Sequence, residues 1–76
     1  MQKIICKKLY DTDTATAVKK KVYGSFGDPE GYEEILFVTE ENNYFLYTRG
    51  GDKSKYPKED IKRMSKATAE EWKKEN

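Results

Sequence analysis

Residues 32 to 49 read YEEILFVTEENNYFLYTR, two apolar runs joined by a short polar turn. Successive side chains of a strand point to opposite faces, so Ile35 and Phe37 share one face and Leu36 and Val38 the other. Apolar residues on both faces predict a central strand. The Glu-Asn-Asn step predicts the turn, because Asn tolerates the left-handed backbone that a tight hairpin needs. YFLYTR then returns as the second strand and ends at Gly50-Gly51. Any fold for this chain has to contain this antiparallel hairpin.

The flanking segments supply the rest. KIICKKLY, residues 3 to 10, reads as one strand, and the Asp/Thr-rich DTDTAT after it as a turn. AVKKKVY, residues 17 to 23, supports two readings. Val18, Lys20 and Val22 alternate as in a strand, yet Val18 and Val22 are also four apart, as on a helix capped by Thr12 or Asp13 and stopped at Gly24. The Val, Tyr and Thr content favours strand. GSFGDPEG and DKSKYPKED read as loops, and Pro57 stops strand pairing in the second. IKRM reads as a short edge strand. Ser65 reads as an N-cap for a helix over KATAEEWKKEN, with Lys73 and Lys74 suited to its C-terminal end. Trp72 and Ala69, with Thr68 or Met64, would form its docking face. The expected architecture is a single α+β domain over residues 1 to 76. It has a small antiparallel sheet of three to five strands and one C-terminal helix packed on it. A chain this short buries only about 60% of its unfolded surface, so the six Tyr, three Phe and one Trp have to supply most of the core.

Charge is patterned along the chain although the net charge is only +1. Lys3, Lys7, Lys8, Lys19, Lys20 and Lys21 come first. Asp28, Glu30, Glu33, Glu34, Glu40 and Glu41 follow with no base among them. A second basic stretch begins at Arg49. Such a basic–acidic–basic order fits cross-strand pairing on a solvated face. It also fits separate patches offered to a partner.

The residue inventory excludes most catalytic chemistry. Histidine is absent, which removes the usual base near neutral pH and the commonest metal ligand. The single Cys6 can form no internal disulfide and builds no ordinary zinc site; in an apolar strand it reads as a buried thiol. One unpaired cysteine suits a reducing cytoplasmic setting, and no apolar run approaches the roughly 20 residues of a membrane span. LYDTDTAT has the Asp-x-Asp of haloacid dehalogenases. Ala15, however, stands where that class carries Thr or Val, and 76 residues cannot hold its parallel sheet. Asp11 and Asp13 could share a magnesium ion, or simply form a turn in which their side chains bond their own backbone. No cofactor is expected.

TRGGDKSKY, residues 48 to 56, offers glycine-freed backbone N–H groups beside Lys53 and Lys55. It lacks both common phosphate-loop patterns, so a bent strand end competes with anion contact. Tyr44, Phe45, Tyr47 and Arg49 suggest a base-stacking platform for single-stranded nucleic acid. Alternation splits those aromatics between faces, and Glu33, Glu34 and Glu40 on the adjacent strand repel phosphate. Protein recognition fits better, since interfaces favour Tyr and Arg. The expected partner-binding residues are Tyr47, Arg49, Lys53, Lys55 and Tyr56.

Together, KLYDTDTAT, YEEILFVTEENNYFLYTRGG, SKY and AEEW resemble a family of small uncharacterised proteins encoded by Gram-positive bacteria, their phages and mobile elements. The chain departs from that pattern in carrying Thr48-Arg49 before Gly50-Gly51, and in a short PKED between Tyr56 and Ile61. The resemblance implies a mobile-element setting. The expected function is therefore a non-catalytic protein-binding module acting on a host defence component, as an anti-CRISPR inhibitor does. A nucleic-acid-binding accessory protein is the alternative.

Overall fold

The computed structural model of the chain describes residues 1 to 5, 7 to 24 and 28 to 75. Cys6, most of the predicted 24–31 loop's first half and the terminal Asn76 fall outside them, so the expected burial of the Cys6 thiol does too. Six strands and one helix follow in the order β1 (Gln2–Ile5), β2 (Lys8–Asp11), β3 (Thr16–Tyr23), β4 (Tyr32–Val38), β5 (Tyr44–Gly50), β6 (Asp60–Met64) and α1 (Lys66–Glu75). Strands β3-β4-β5-β6 form an antiparallel sheet in sequence order, and β1-β2 form a separate antiparallel pair. The fold is a small α+β domain, with the helix on one face of the sheet and the β1-β2 hairpin on the other.

The central hairpin forms as its pattern dictates. Leu36 pairs with Leu46 and Phe37 with Phe45. Asn42 takes the left-handed conformation, with φ +65°. Thr39 closes the turn twice, donating its N–H to the Asn43 carbonyl and accepting the Asn43 N–H on Oγ1. Residues 16 to 23 resolve as a strand, with a register shift between Ala17 and Lys19.

The first segment differs from its sequence reading. KIICKKLY is not one strand but two, folded back so that Ile5 pairs with Lys8 and Ile4 with Leu9. Lys7 has φ +66°, which costs a non-glycine residue about 1–2 kcal/mol. Neither Gly nor Asn marks this reversal, so turn chemistry could not reveal it. Its cause is tertiary: folding brings Ile5 and Tyr10 onto the sheet together. Tyr10, Phe37, Phe45, Tyr47 and Ile61 form the core of that side, with Ile5, Ala15 and Ile35 at its margin. Tyr10 meets Phe45 edge-on, and Phe45 stacks on Phe37.

The opposite face is thinner. Leu36, Leu46 and Ala69 are buried there, with Tyr44, Met64 and Trp72 packed against them. Ser65 caps the helix, its Oγ accepting the Thr68 N–H at 3.1 Å. Thr68 itself is exposed and bonds the cap rather than the sheet. None of the helices among the described residues is long and apolar enough to cross a membrane.

Candidate functional site

The β4 register divides the expected site residues between the two faces. On the hairpin side lie Glu33, Ile35 and Phe37 with their partners Arg49, Tyr47 and Phe45; on the helix side lie Tyr32, Glu34 and Leu36 with Gly50, Thr48 and Leu46. Tyr47 is a core residue. Its ring is buried, and its hydroxyl donates to Glu59 at 2.7 Å. Burial and that bond to a carboxylate raise its pKa above the ordinary tyrosine value. Phe45 is wholly buried, so of the stacking platform that the sequence offered for bases Phe45 and Tyr47 lie in the core, while Tyr44 is half-buried on the helix side and Arg49 is exposed.

Arg49 is exposed but engaged. Its Nε donates to Glu33, which also pairs with Lys20 at 3.2 Å. Burial would raise the Glu33 pKa, but the hydrogen bonds from Lys20 and Arg49 outweigh it and hold the carboxyl below the usual range. Lys20, Glu33 and Arg49 lie on β3, β4 and β5. At this row the basic–acidic–basic order of the sequence is cross-strand pairing.

Gly50 and Gly51 have a local structural cause. A Cβ on Gly51 would lie 2.4 to 2.6 Å from the Pro29 backbone, and one on Gly50 would lie 2.8 Å from the Gly31 carbonyl. The loop after β5 is laced to the loop before β4. Gly51 N–H donates to the Gly31 carbonyl and Lys53 N–H to the Pro29 carbonyl, each at 2.9 Å. The close approach expected of a partner is thus made by the chain's own backbone. Neither glycine has a positive φ.

Next to this lacing, on the helix side, the chain gathers three tyrosines. Tyr23 pairs with Tyr32 across β3 and β4, and their rings stack with centroids 4.3 Å apart and planes 27° from parallel. Tyr56, carried over by the loop, meets Tyr32 edge-on at 5.3 Å. All three rings are half-buried. Lys21 Nζ sits 4.6 Å from the Tyr23 ring centre and Lys55 Nζ 5.5 Å from that of Tyr56, within cation–π range. Beneath them Glu34, only 8% exposed, accepts the Tyr56 hydroxyl proton at 2.6 Å. Burial, then the bond to Glu34, drive the Tyr56 pKa well above its ordinary value.

Of the five expected residues, the structure brings Lys55 and Tyr56 into this cluster and leaves Lys53 exposed on the same loop. Arg49 lies on the opposite face and Tyr47 in the core. Sequence reasoning missed Tyr23 and Tyr32. Their signal was positional: both flank the glycine-rich loop, and closing a β3-β4 hairpin has to pair the residues at its ends.

Asp11 and Asp13 form a turn of the kind that short acidic segments make on their own. Asp11 Oδ1 accepts the Asp13 N–H, and the Asp11 carbonyl accepts the Ala15 N–H. Among the described residues no group of three or more Cys, Asp or Glu is placed to hold a metal ion. No family model, curated protein or solved structure matches the chain.

Proposed function

We propose that the chain is a non-catalytic protein-binding module whose contact surface is the tyrosine cluster and its basic rim. The observation that carries this reading is the half-buried Tyr23–Tyr32–Tyr56 group flanked by Lys21 and Lys55. Tyrosine supplies large contact area with little rotamer entropy to lose, and anchors of this type dominate interface energetics. The rings are already held by one another and by Glu34, so binding orders little that is not ordered beforehand. Lys53 adds charge from the adjoining loop. Arg49 serves the sheet through Glu33, and Tyr47 serves the core.

A host defence component as the target, in the manner of an anti-CRISPR inhibitor, rests on the family resemblance alone. The test is capture of partners from a Gram-positive host lysate by the tagged chain, with and without nuclease, followed by a salt titration of the purified complex. Retention after nuclease treatment and a shallow salt dependence are expected. Lys53→Glu with Lys55→Glu should weaken that complex at least tenfold, about 1.4 kcal/mol, without unfolding the chain. Capture that vanishes with nuclease and falls steeply with salt would establish the nucleic-acid reading instead.

A further inference from the structure

The two edges of the four-stranded sheet are treated differently. β6 is five residues long, and Lys3 of the β1-β2 hairpin reaches across it to Asp60 Oδ1 at 2.7 Å and to the Ile61 carbonyl at 3.4 Å. β3 is eight residues long, and among the described residues no strand pairs with its outer side. An unpaired edge presents a row of backbone donors and acceptors ready for another chain. Val22 is 57% exposed, apolar area that an added strand would cover.

The side chains specify which chain could pair there. Lys19, Lys20 and Lys21 run consecutively along the edge. In a two-fold pairing of β3 with β3 these lysines would face one another, and like charges opposed across strands are destabilising. A second copy is therefore disfavoured. An extended segment with carboxylates at alternate positions has the complementary pattern, meeting Lys19 and Lys21 on one face or Lys20 on the other. Lys21 is the readiest of these: it caps the Tyr23 ring, whereas Lys20 is paired with Glu33 and Lys19 Nζ donates to the Lys73 carbonyl at 3.1 Å. Beside the same strand end lies an open groove of about 760 Å³, lined by Val22 and Tyr32 with the bases Lys20 and Arg49 and the carboxylates Asp28, Glu33 and Asp52, with room for an uncharged flanking side chain.

We propose that the outer edge of β3 accepts an acidic, extended segment of the partner protein as a fifth strand of the sheet. The register shift at Ala17/Lys19 confines regular pairing to residues 19 to 23. That span ends at Tyr23, so the added strand leads directly onto the tyrosine cluster. Backbone bonds supply affinity in such strand addition, and alternate side chains supply specificity. This inference rests on the protein-binding reading and names the chemistry of the partner.

The test titrates the whole chain, labelled for NMR, with three capped ten-residue peptides. One alternates Glu and Thr, one alternates Lys and Thr, and one is the Glu peptide N-methylated throughout. The Glu peptide should bind and slow amide exchange within residues 19 to 23 at least tenfold. The N-methylated peptide should bind at least tenfold more weakly, and the Lys peptide should not bind. Lys19→Glu with Lys21→Glu should reverse the preference between the charged peptides. Failure of the Glu peptide to bind overturns the proposal, as does equal binding of the Lys peptide. Equal binding of the N-methylated peptide, with shifts confined to Tyr32 and residues 53 to 56, overturns strand addition while leaving the tyrosine surface standing. Lysate capture that ignores Lys53→Glu with Lys55→Glu overturns the surface reading itself.

Discussion

The two faces of the central sheet use the same kind of residue to opposite ends. On the hairpin side the rings of Tyr10, Phe37, Phe45 and Tyr47 are sealed, and the tyrosine hydroxyl at position 47 is tied off to Glu59. On the helix side a ten-residue helix covers Leu36 and Leu46, while Tyr23, Tyr32 and Tyr56 cluster half-buried around Glu34. What decides the fate of a tyrosine here is the element laid over its face. The hairpin completes a core, and the face opposite it retains a partly exposed aromatic surface. Sealed aromatic packing is therefore concentrated on one side and partly exposed aromatic surface on the other.

The strongest way to break this contrast is Phe45→Ala. Phe45 is wholly buried between Tyr10 and Phe37, so its removal should cost about 3–5 kcal/mol. That approaches the whole stability of so small a domain, and thermal unfolding should show a variant largely unfolded at room temperature. A variant that melts within a few degrees of the parent would mean that the hairpin side is not the principal core.

Trp72→Ala probes the thinner face. Trp72 packs against Leu36, Leu46 and Ala69 but is only half-buried, so the loss should be about 2–3 kcal/mol, less than for a fully enclosed ring. A loss equal to that of Phe45→Ala would make the two faces equivalent. Gly51→Ala should cost about 1–3 kcal/mol, since the new methyl collides with the Pro29 backbone and the laced loops have to part. Its Tm should fall even though no contact is deleted, and an unchanged Tm would mean that the lacing is loose.

Local patterns were legible in the sequence wherever a single element carried its own signal. The 32–49 hairpin announced itself by alternation and by Asn42, and the helix by its Ser65 cap. The reversal at Lys7 was illegible because no turn residue marks it; only the sheet waiting for Ile5 and Tyr10 accounts for it. The candidate site was half legible for a related reason. Lys55 and Tyr56 stood out in a basic, aromatic loop. Tyr23 and Tyr32 became neighbours only through the β3-β4 register, and Gly50-Gly51 resembled a site feature until the Pro29–Gly31 backbone lay against it. Arg49 misled for the same reason, since its partner Glu33 lies sixteen residues away.

Tyr56→Phe makes the smallest and most discriminating change, because it removes one hydroxyl and keeps the ring in place against Tyr32. Glu34, nearly buried, loses the donor at 2.6 Å, and the expected cost near neutral pH is about 1–2 kcal/mol. The pH dependence separates this bond from simple packing. The folded-state pKa of Tyr56 lies above its ordinary value of 10.0, so folding favours the protonated phenol. The resulting stability is present in full below pH 10 and is lost as the pH rises from there through the folded value. Tyr47, raised in the same direction on the other face, contributes its own share of that alkaline decline. Denaturant melts between pH 7 and 11 should therefore show the parent losing stability above pH 10 more steeply than the Phe variant. The two curves should converge as the parent sheds the Tyr56 contribution. Parallel curves, offset by a constant amount, would show that the hydroxyl does not hold Glu34 and that the tyrosine surface is not locked from beneath.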